Sequence, residues 1–308
     1  MILTALQISR LSPHPEIEIS IDQSLTKYNS FRLNSFGDLI TIRSIEALCE
    51  TVQYLTCENL RYRIIGQGSN LVLPKIADWI YLKLEIPVDL DIFSQPRHEY
   101  LLPSSVQLNL LTQHAAKFGL KGWEVFTGIP ASLGGAVVMN AGTNLGEICN
   151  IIIDVQVLRS NGKLNTHIIT PDSFSYRANH FLTKGDIIYS VKVRHCGIDS
   201  TIPRIIKDYQ TLRKRTQPLN LPTCGCVFKN RTVIEHGQEK ILRAGQLIDS
   251  LGLKGRCVNR LQVSNIHANF FENLGGATKD DFLALVQIIH DEVQSKYGFK
   301  FDLEVEVW

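Results

Sequence analysis

The segment GIPASLGGAVVMNAG, residues 128–142, constrains this chain more than any other feature of the sequence. It contains Gly128, Gly134, Gly135 and Gly142 and carries no charged side chain. Glycines let backbone N–H groups approach a phosphate closely, and the apolar residues between them could line a flat ring. A tightly packed core turn is the alternative, although packing alone rarely requires so many glycines in so short a stretch. The segment therefore favours a cofactor-binding role.

A second glycine motif, Gly66-Gln67-Gly68-Ser69-Asn70, follows an apolar stretch that predicts a strand. It lacks the third glycine and the helix of a dinucleotide-binding fingerprint, so by itself it favours a structural turn. Together with residues 128–142, it becomes a second candidate for close approach to a phosphate.

The hydrophobic pattern predicts an α+β chain. Predicted helices lie between Ser44 and Asn59, from Leu108 to Gly119, from Pro203 into the basic RKRTQP segment, in AGQLIDSLGLKG up to Gly252, and from Thr278 to Gly298. β-branched runs between residues 151 and 194 predict strands of one mixed sheet. A length of 308 residues favours two or three compact units, and we place the boundaries after residues 78 and 203.

Composition excludes several classes of protein. With 32 basic and 30 acidic side chains the net charge is +2, so no general field attracts nucleic acid or an anionic membrane. The N-terminal residues lack a secretory pattern, and no apolar stretch approaches a membrane span. The 7 scattered cysteines indicate reduced thiols and a cytoplasmic protein. Cys224 and Cys226 have no second pair at zinc-site spacing, so we expect no metal.

Further motifs follow the two glycine segments in a fixed order. They are FSYR at 174–177, KRTQP at 214–218, CGCVFKN at 224–230, AGQLID at 244–249, HANF at 267–270 and LEVEV at 303–307. In this order, from about residue 29 to the C-terminus, the chain resembles the UDP-N-acetylenolpyruvoylglucosamine reductases. The glycine motifs alone would indicate only the wider FAD-binding superfamily.

The resemblance implies a two-part FAD-binding domain of the vanillyl-alcohol-oxidase/PCMH type, followed by a smaller α+β substrate-binding domain. It implies noncovalent FAD, NADPH as hydride donor and UDP-N-acetylglucosamine enolpyruvate as the substrate, which is reduced to UDP-N-acetylmuramate for peptidoglycan. We expect a cytoplasmic monomer. Only 48 residues separate Arg177 from Cys226, which is shorter than in relatives with an inserted substrate-capping loop, so we expect the loop-less type.

The resemblance also implies site residues. For the cofactor they are Gly66, Gly68, Ser69, Asn70, Gly128, Ile129, Ser132, Gly134, Gly135, Asn140, Ala141 and Gly142. For the substrate they are Tyr176, Lys214, Asn230 and Asn269, with Arg215 and Lys229 as weaker candidates. A merely solvated basic cluster is the alternative for the charged members of this set.

Three residues are the candidates for catalysis. Hydride addition builds negative charge on the substrate carboxylate and the adjacent carbon, which requires a fixed cation and a proton source. Arg177 fits the cation role, because arginine stays charged and can clamp a carboxylate, although an ordinary surface arginine is the alternative. The alternating FDLEVEVW cannot select an acid, and only the resemblance, in which the glutamate before the valine is catalytic, selects Glu306.

Cys226 stands where the family usually has serine, and we assign it as the acid that protonates the substrate after hydride transfer. A thiol is intrinsically a better acid than a serine hydroxyl, so it can perform the same step. A buried cysteine that behaves as a small apolar residue is the alternative.

Two other functions are compatible with part of the sequence. Another FAD oxidoreductase of the superfamily, such as a hydroxy-acid or alcohol oxidase, would explain the glycine segments but neither CGCVFKN nor the terminal EVEV. A nucleotide-binding regulatory module without turnover is the third possibility.

Overall fold

A computed structural model describes residues 2–235 and 237–308. In this part of the chain the α-helices are α1 (Ala5–Leu11), α2 (Ile45–Cys57), α3 (Leu108–Phe118), α4 (Leu133–Val138), α5 (Ile202–Thr216), α6 (Ala244–Ser250) and α7 (Lys279–Tyr297). Short 3-10 helices span Thr26–Tyr28, Leu90–Phe93, Trp123–Phe126, Ile148–Ile151 and Pro171–Ser173.

The strands of the described residues are mostly short. They are β1 (Ile17–Ser24), β2 (Phe36–Ile42), β3 (Tyr62–Ile64), β4 (Leu71–Val72), β5 (Ile80–Leu84), β6 (Glu99–Pro103), β7 (Gly142–Thr143), β8 (Gly146–Glu147), β9 (Ile152–Leu158), β10 (Leu164–Ile168), β11 (Phe174–Ser175), β12 (Ala178–Asn179), β13 (Ile187–Arg194), β14 (Arg231–Glu235), β15 (Gln238–Leu242), β16 (Cys257–Val258), β17 (Leu261–Val263), β18 (Phe271–Asn273) and β19 (Glu306–Val307).

The predicted helices are confirmed, and the ends of α2, α3 and α7 lie where the capping signals place them. Helix α2 begins after Ser44, whose side chain accepts a backbone N–H of the first turn. Helix α3 ends at Gly119, which has a left-handed φ of 69°. Helix α7 has the reciprocal cap between Thr278 and Asp281. Helix α5 begins at Ile202, one residue before the predicted start, and includes the RKR of the basic segment.

The described residues form two compact units. One consists of Met1–Gln23, Gly37–Gln67 and Asp78–Leu212, and the other of Ser24–Phe36, Gly68–Ala77 and Arg213–Trp308. We call them the first and the second unit. The first glycine motif is divided between them after Gln67. The boundaries after residues 78 and 203 stay predictions.

The first unit contains two four-stranded sheets. In one, with order β1-β2-β5-β3, both β2 and β3 run parallel to β5, and α1 and α2 contribute to the same core. Strand β2 is buried at every position after Phe36, as expected for a strand covered on both faces. In the other, with order β10-β9-β13-β6, all pairings between described strands are antiparallel, so the expected mixed sheet was wrong.

The antiparallel pairing of β9 with β10 has a local cause. Strands β9 and β10 are joined by a short turn at Asn161-Gly162, and a tight connection of this kind can only reverse the chain. The core beneath this sheet is rich in aromatic side chains, with Tyr100, Trp123 and Phe126 almost completely buried.

The second unit has its own core, in which Phe31, Phe228, Phe271 and Phe282 pack with residues of α6 and α7. Its sheets are small: β16-β17-β18 and the hairpin β14-β15 are antiparallel, whereas β19 pairs parallel to β4. Within the residues that the structure describes, no helix has both the length and the apolar character needed to cross a membrane.

The C-terminal segment follows the predicted alternation but forms less of a strand than FDLEVEVW suggests. Val305 is buried and Glu306 is exposed, as the pattern predicts, yet only Glu306–Val307 pairs as a strand. The N–H groups of Glu304 and Val305 both point to the Val227 carbonyl oxygen, at 2.8 and 3.5 Å, and this irregularity interrupts the ladder.

Candidate active site

The glycine-rich segment 128–142 forms a loop and then the short helix α4 in the first unit. Ser132 precedes α4, and its Oγ accepts the N–H of Gly135 at 3.4 Å. The N–H of Gly134 donates to the carbonyl oxygen of Ser104 at 2.8 Å. The amides of the paired glycines are therefore used inside the protein, and the pair serves close packing of backbone segments.

Close approach explains why these positions are glycine. A Cβ on Gly134 would lie 2.7 Å from the Cβ of Ser104, and a Cβ on Gly66 would lie 2.9 Å from the Oγ of Ser132. Real side chains do not tolerate such distances without displacement of a neighbour. The structure thus brings Gly66 of the first motif directly against residues of the second.

Two observations test whether FAD fits this region. A cavity of ≈ 490 Å³ lies in the first unit, and Gln67, Ser105 and Gln107 are among its lining residues. Its volume falls within the ~300–1,000 Å³ of small-molecule sites. Thr127, which directly precedes Gly128, is fully buried, and its hydroxyl has no hydrogen-bond partner among the described residues. A buried hydroxyl without a partner is costly, so Thr127 fits a polar ligand at this segment. The cavity lies beside Gln67 of the first glycine motif, and none of residues 128–142 is among the residues that line it.

Arg177 lies in a strained position. Tyr176 and Arg177 form the two-residue loop between β11 and β12, and Arg177 has a φ of 56°, which is uncommon for a residue with a side chain. Its guanidinium donates to the carbonyl oxygen of Gly142 at 3.0 Å and to that of Asn140 at 3.4 Å. The structure therefore brings the predicted cation against the backbone of the glycine-rich segment. Backbone strain of this kind concentrates at functional sites.

Sequence reasoning missed Glu147. Its Oε1 lies 3.8 Å from Nη1 of Arg177, and its Oε2 accepts a hydrogen bond from Nδ2 of Asn140 at 2.9 Å. Asn140 is fully buried and also donates to the carbonyl oxygen of Ser175 at 3.0 Å, so it joins the glycine-rich segment to the hairpin that carries Arg177. One signal was available, because Glu147 is the single charged residue between positions 128 and 150.

In the second unit, the rest of the first glycine motif contacts the C-terminal segment. Nδ2 of Asn70 donates to the carbonyl oxygen of Glu304 at 3.0 Å, and the N–H of Glu306 donates to the carbonyl oxygen of Asn70 at 3.0 Å. The Glu306 side chain is exposed, and its Oε2 accepts the indole N–H of Trp308 at 3.1 Å.

The two cysteines of CGCVFKN have different environments. Cys224 is 1% exposed, and burial raises the pKa of its thiol far above the usual range, so it behaves as an apolar core residue. Cys226 is half-buried and forms an isolated antiparallel bridge with Phe270. The intervening Gly225 lies beside Ser69 of the first glycine motif.

The predicted substrate residues are distributed over both units. In the first unit, the guanidinium carbon of Arg177 lies over the Tyr176 ring, 4.9 Å from the ring centroid. In the second unit, the Asn269 amide accepts the N–H of Phe228 at 2.9 Å and donates to the same residue's carbonyl oxygen at 2.8 Å, so it supports the CGCVFKN segment. Asn230 is exposed, and its Oδ1 accepts the N–H of Ala244.

The basic candidates of the second unit are accessible. Lys214 and Arg215 lie exposed in the last turn of α5, and Lys229 is half-buried. No contact among the described residues tests whether they or the other candidates bind substrate, and their roles stay predictions.

Comparisons with known proteins give a consistent result. Residues 39–166 match a family model described as an FAD binding domain, and residues 217–308 match the C-terminal domain of UDP-N-acetylenolpyruvoylglucosamine reductase. The chain is 31% identical over 300 residues to the UDP-N-acetylenolpyruvoylglucosamine reductase of Trichormus variabilis, and the aligned region covers 96% of this chain and 88% of that protein. It is 32% identical over 294 residues to that of Halalkalibacterium halodurans, with 94% of each covered.

Solved structures agree with the sequence relatives. The crystal structure of UDP-N-acetylenolpyruvylglucosamine reductase from Thermus caldophilus superposes with a TM-score of 0.76 at 32% identity, covering 95% of this chain and 98% of that one. Fold and site together define an α+β flavoprotein oxidoreductase with an FAD binding domain, as predicted. The extent of the similarity is decisive: the chain belongs to the UDP-N-acetylenolpyruvoylglucosamine reductase family.

Proposed function

We propose that this chain reduces UDP-N-acetylglucosamine enolpyruvate to UDP-N-acetylmuramate, with noncovalent FAD and with NADPH as the hydride donor. The reaction supplies a peptidoglycan precursor and takes place in the cytoplasm. Membership of the family supports the reaction, and one structural observation carries it further: an arginine is fixed against the backbone of the glycine-rich segment.

The residues that would hold FAD in the first unit are Gly66 and those of segment 128–142, with the unpartnered hydroxyl of Thr127 as a hydrogen-bonding group for the cofactor. In the second unit, Gly68, Ser69 and Asn70 are the further candidates. When bound, FAD supplies the hydride that the enol ether accepts.

Arg177 is proposed to hold the substrate carboxylate. Addition of hydride to the terminal carbon of the enol ether leaves negative charge on the adjacent carbon and its carboxylate. A guanidinium that is already oriented by the carbonyl groups of Asn140 and Gly142 can stabilise this charge with little reorganisation. Its side chain is only 14% exposed, and limited exposure strengthens the interaction relative to water.

Cys226 is proposed to donate the proton that completes the reduction, from its thiol to the substrate carbon beside the carboxylate. Its partial exposure suits this role better than the full burial of Cys224. Glu306 is proposed as the catalytic carboxylate on the ground of the resemblance. Lys214 and Asn230 are proposed to bind the diphosphate and uridine, with Tyr176 and Asn269 as further substrate residues.

Consumption of NADPH tests this proposal against the alternatives. The purified protein should release FAD on denaturation, and NADPH should be oxidised stoichiometrically with the enolpyruvyl UDP-sugar under anaerobic conditions. A product heavier than the substrate by two hydrogens should accumulate. An oxidase of the same superfamily would instead consume oxygen with a hydroxy acid or an alcohol, and a regulatory module would show neither reaction.

A further inference from the structure

Glu147 lies beside Arg177 in a hairpin that has a glycine at position 142. Strands β7 and β8 form a hairpin in which Gly142 is paired with Glu147. A Cβ on Gly142 would lie 2.9 Å from Cγ of Glu147 and 3.2 Å from Nη1 of Arg177. Because position 142 has no side chain, the carboxylate and the guanidinium can both approach this hairpin.

The carboxylate of Glu147 is fixed from a second direction. Its Oε2 accepts from Nδ2 of Asn140 at 2.9 Å and lies 3.9 Å from Sγ of Cys149, while Oδ1 of Asn140 accepts the N–H of Cys149 at 3.3 Å. Asn140 itself is fully buried. One oxygen of Glu147, Oε2, therefore accepts a hydrogen bond from the buried amide of Asn140, and the other, Oε1, lies 3.8 Å from Nη1 of Arg177.

We propose that Glu147 is a positioning residue for Arg177, which it holds in the orientation that receives the substrate carboxylate. The inference rests on the proposed role of Arg177. It adds the carboxylate of Glu147 to the carbonyl oxygens of Asn140 and Gly142 among the groups that orient the guanidinium.

Removal of the Glu147 charge should have opposite effects on the affinity for substrate and on the rate of its reduction. A glutamate beside an arginine reduces the attraction of the arginine for a second carboxylate. In Glu147→Gln the oxygen that accepts from Asn140 can be kept, while the negative charge and the acceptor that faces Arg177 are lost. Substrate should therefore bind equally or more tightly. The reduction of bound substrate should be slower by on the order of 10²-fold, because small misplacements of catalytic groups have effects of this size.

The experiment compares Glu147→Gln, Glu147→Asp and Arg177→Met with the wild-type holoenzyme. Substrate affinity is measured on the oxidised protein without NADPH, from the perturbation of the flavin spectrum, so that no turnover is involved. The rate of reoxidation of the reduced flavin by saturating substrate is measured by stopped flow. Glu99→Gln is the matched control, because Glu99 also pairs with a cation of the first unit, Lys192, at 2.8 Å but lies at an exposed sheet edge.

If the inference is right, Glu147→Gln reoxidises its reduced flavin more slowly without binding substrate more weakly. Glu147→Asp keeps the charge but has a shorter side chain, so its rate should be intermediate. Glu99→Gln should behave as wild type. Little further loss is also expected when Glu147→Gln is added to Arg177→Met. Equal losses in both backgrounds would show that Glu147 acts independently of Arg177 and would overturn the inference, as would parallel losses of affinity and rate.

Failure of the proposed function has a different signature. If wild-type protein does not reoxidise its flavin with the enolpyruvyl substrate, the reaction itself is wrong. If wild type reacts and Arg177→Met is impaired while Glu147→Gln is not, the role of Arg177 holds and the positioning role of Glu147 is wrong. If Glu147→Gln does not fold, the comparison of Glu147→Asp with wild type in the same two measurements decides the matter.

Discussion

The adjacent glycines of the glycine-rich segment should respond oppositely to the same substitution. In Gly134→Ala the new Cβ would lie 2.7 Å from Cβ of Ser104, whereas in Gly135→Ala it would lie 3.3 Å from Oγ of Ser132. Carbon atoms in contact are optimally ~3.5–4.0 Å apart, so the first substitution overlaps by about 1 Å. The second requires a shift of only a few tenths of an ångström.

The expected magnitudes follow from these distances. Overpacking of a tightly packed site costs about 1–3 kcal/mol, and replacement of glycine by alanine within a helix returns up to about 1 kcal/mol. Gly134→Ala should therefore lower the free energy of unfolding by up to about 2 kcal/mol, whereas Gly135→Ala should be neutral or slightly stabilising. Because Gly134 also donates to the Ser104 carbonyl oxygen, its substitution should displace the loop at residues 103–105 beside the cavity and weaken FAD binding.

Urea unfolding of the two variants and titration of their apoproteins with FAD would measure both effects. The wild-type protein and the pair of variants share the same fold, cofactor and helix, so the comparison isolates the contact with Ser104. If Gly134→Ala is as stable as wild type and binds FAD equally well, or if Gly135→Ala is the more damaging change, the close-approach argument is refuted.

Three further results are expected. Cys226→Ala should slow reoxidation of the reduced flavin by substrate about 10²–10⁴-fold while Cys226→Ser keeps much of the activity, and undiminished reoxidation in Cys226→Ala would place the proton source elsewhere. Glu306→Gln should slow substrate reduction severely but leave flavin reduction by NADPH nearly intact, whereas Glu304→Gln should slow substrate reduction only mildly. Stopped-flow measurement of both half-reactions tests this, and equal damage from the two substitutions would contradict the assignment of Glu306. Burial, followed by the positive charges nearby, lowers the pKa of His114 from 6.5 to about 4. The unfolded chain binds this proton first as pH falls, so stability should drop by roughly 3 kcal/mol between about pH 6.5 and pH 4. Unfolding in urea across this range should show a drop that is larger by this amount in wild type and in the exposed-residue control His98→Gln than in His114→Gln, because other histidines whose pKa is lowered by burial keep their own contribution. An equal drop in His114→Gln would refute the attribution.

The surroundings of His114 are compatible with its neutral state. The N–H of Arg97 donates to the Tyr100 hydroxyl at 2.7 Å, and the same hydroxyl can donate its hydrogen to Nε2 of His114 at 2.8 Å. A ring nitrogen that accepts a hydrogen bond carries no proton, and the surrounding aromatic side chains of Phe93 and Trp123 offer no compensating charge.

Local features of the fold could be read from the sequence because they depend on neighbouring residues. The caps at Ser44 and Thr278 and the helix end at Gly119 are determined within one turn of chain. Strand partners are not, because a β-branched run has the same pattern in parallel and antiparallel pairs. The expectation of a mixed sheet failed for that reason at β13, whose partners β6 and β9 are distant in sequence. The C-terminal strand is shorter than the alternation in FDLEVEVW suggests because the N–H groups of Glu304 and Val305 share the carbonyl oxygen of Val227.

In the candidate site, too, some features could be predicted from the sequence and others could not. The glycine-rich segment, Arg177, Cys226 and Glu306 could be selected because they belong to recognisable motifs. The contact of Glu147 with Arg177 could not, because it depends on two hairpins that are distant in sequence and are joined through the buried amide of Asn140. Division of the first glycine motif between the two units after Gln67 is likewise a tertiary feature without a local signal.

An anaerobic flavin spectrum tests the central claim most directly. The purified protein should show the absorption of oxidised flavin, which should bleach on addition of one equivalent of NADPH. The absorption should return in full when the enolpyruvyl UDP-sugar is added in the absence of oxygen. A flavin that bleaches but does not recover with this substrate, or that recovers equally with UDP-N-acetylglucosamine, which lacks the enol ether, would contradict the proposed reaction.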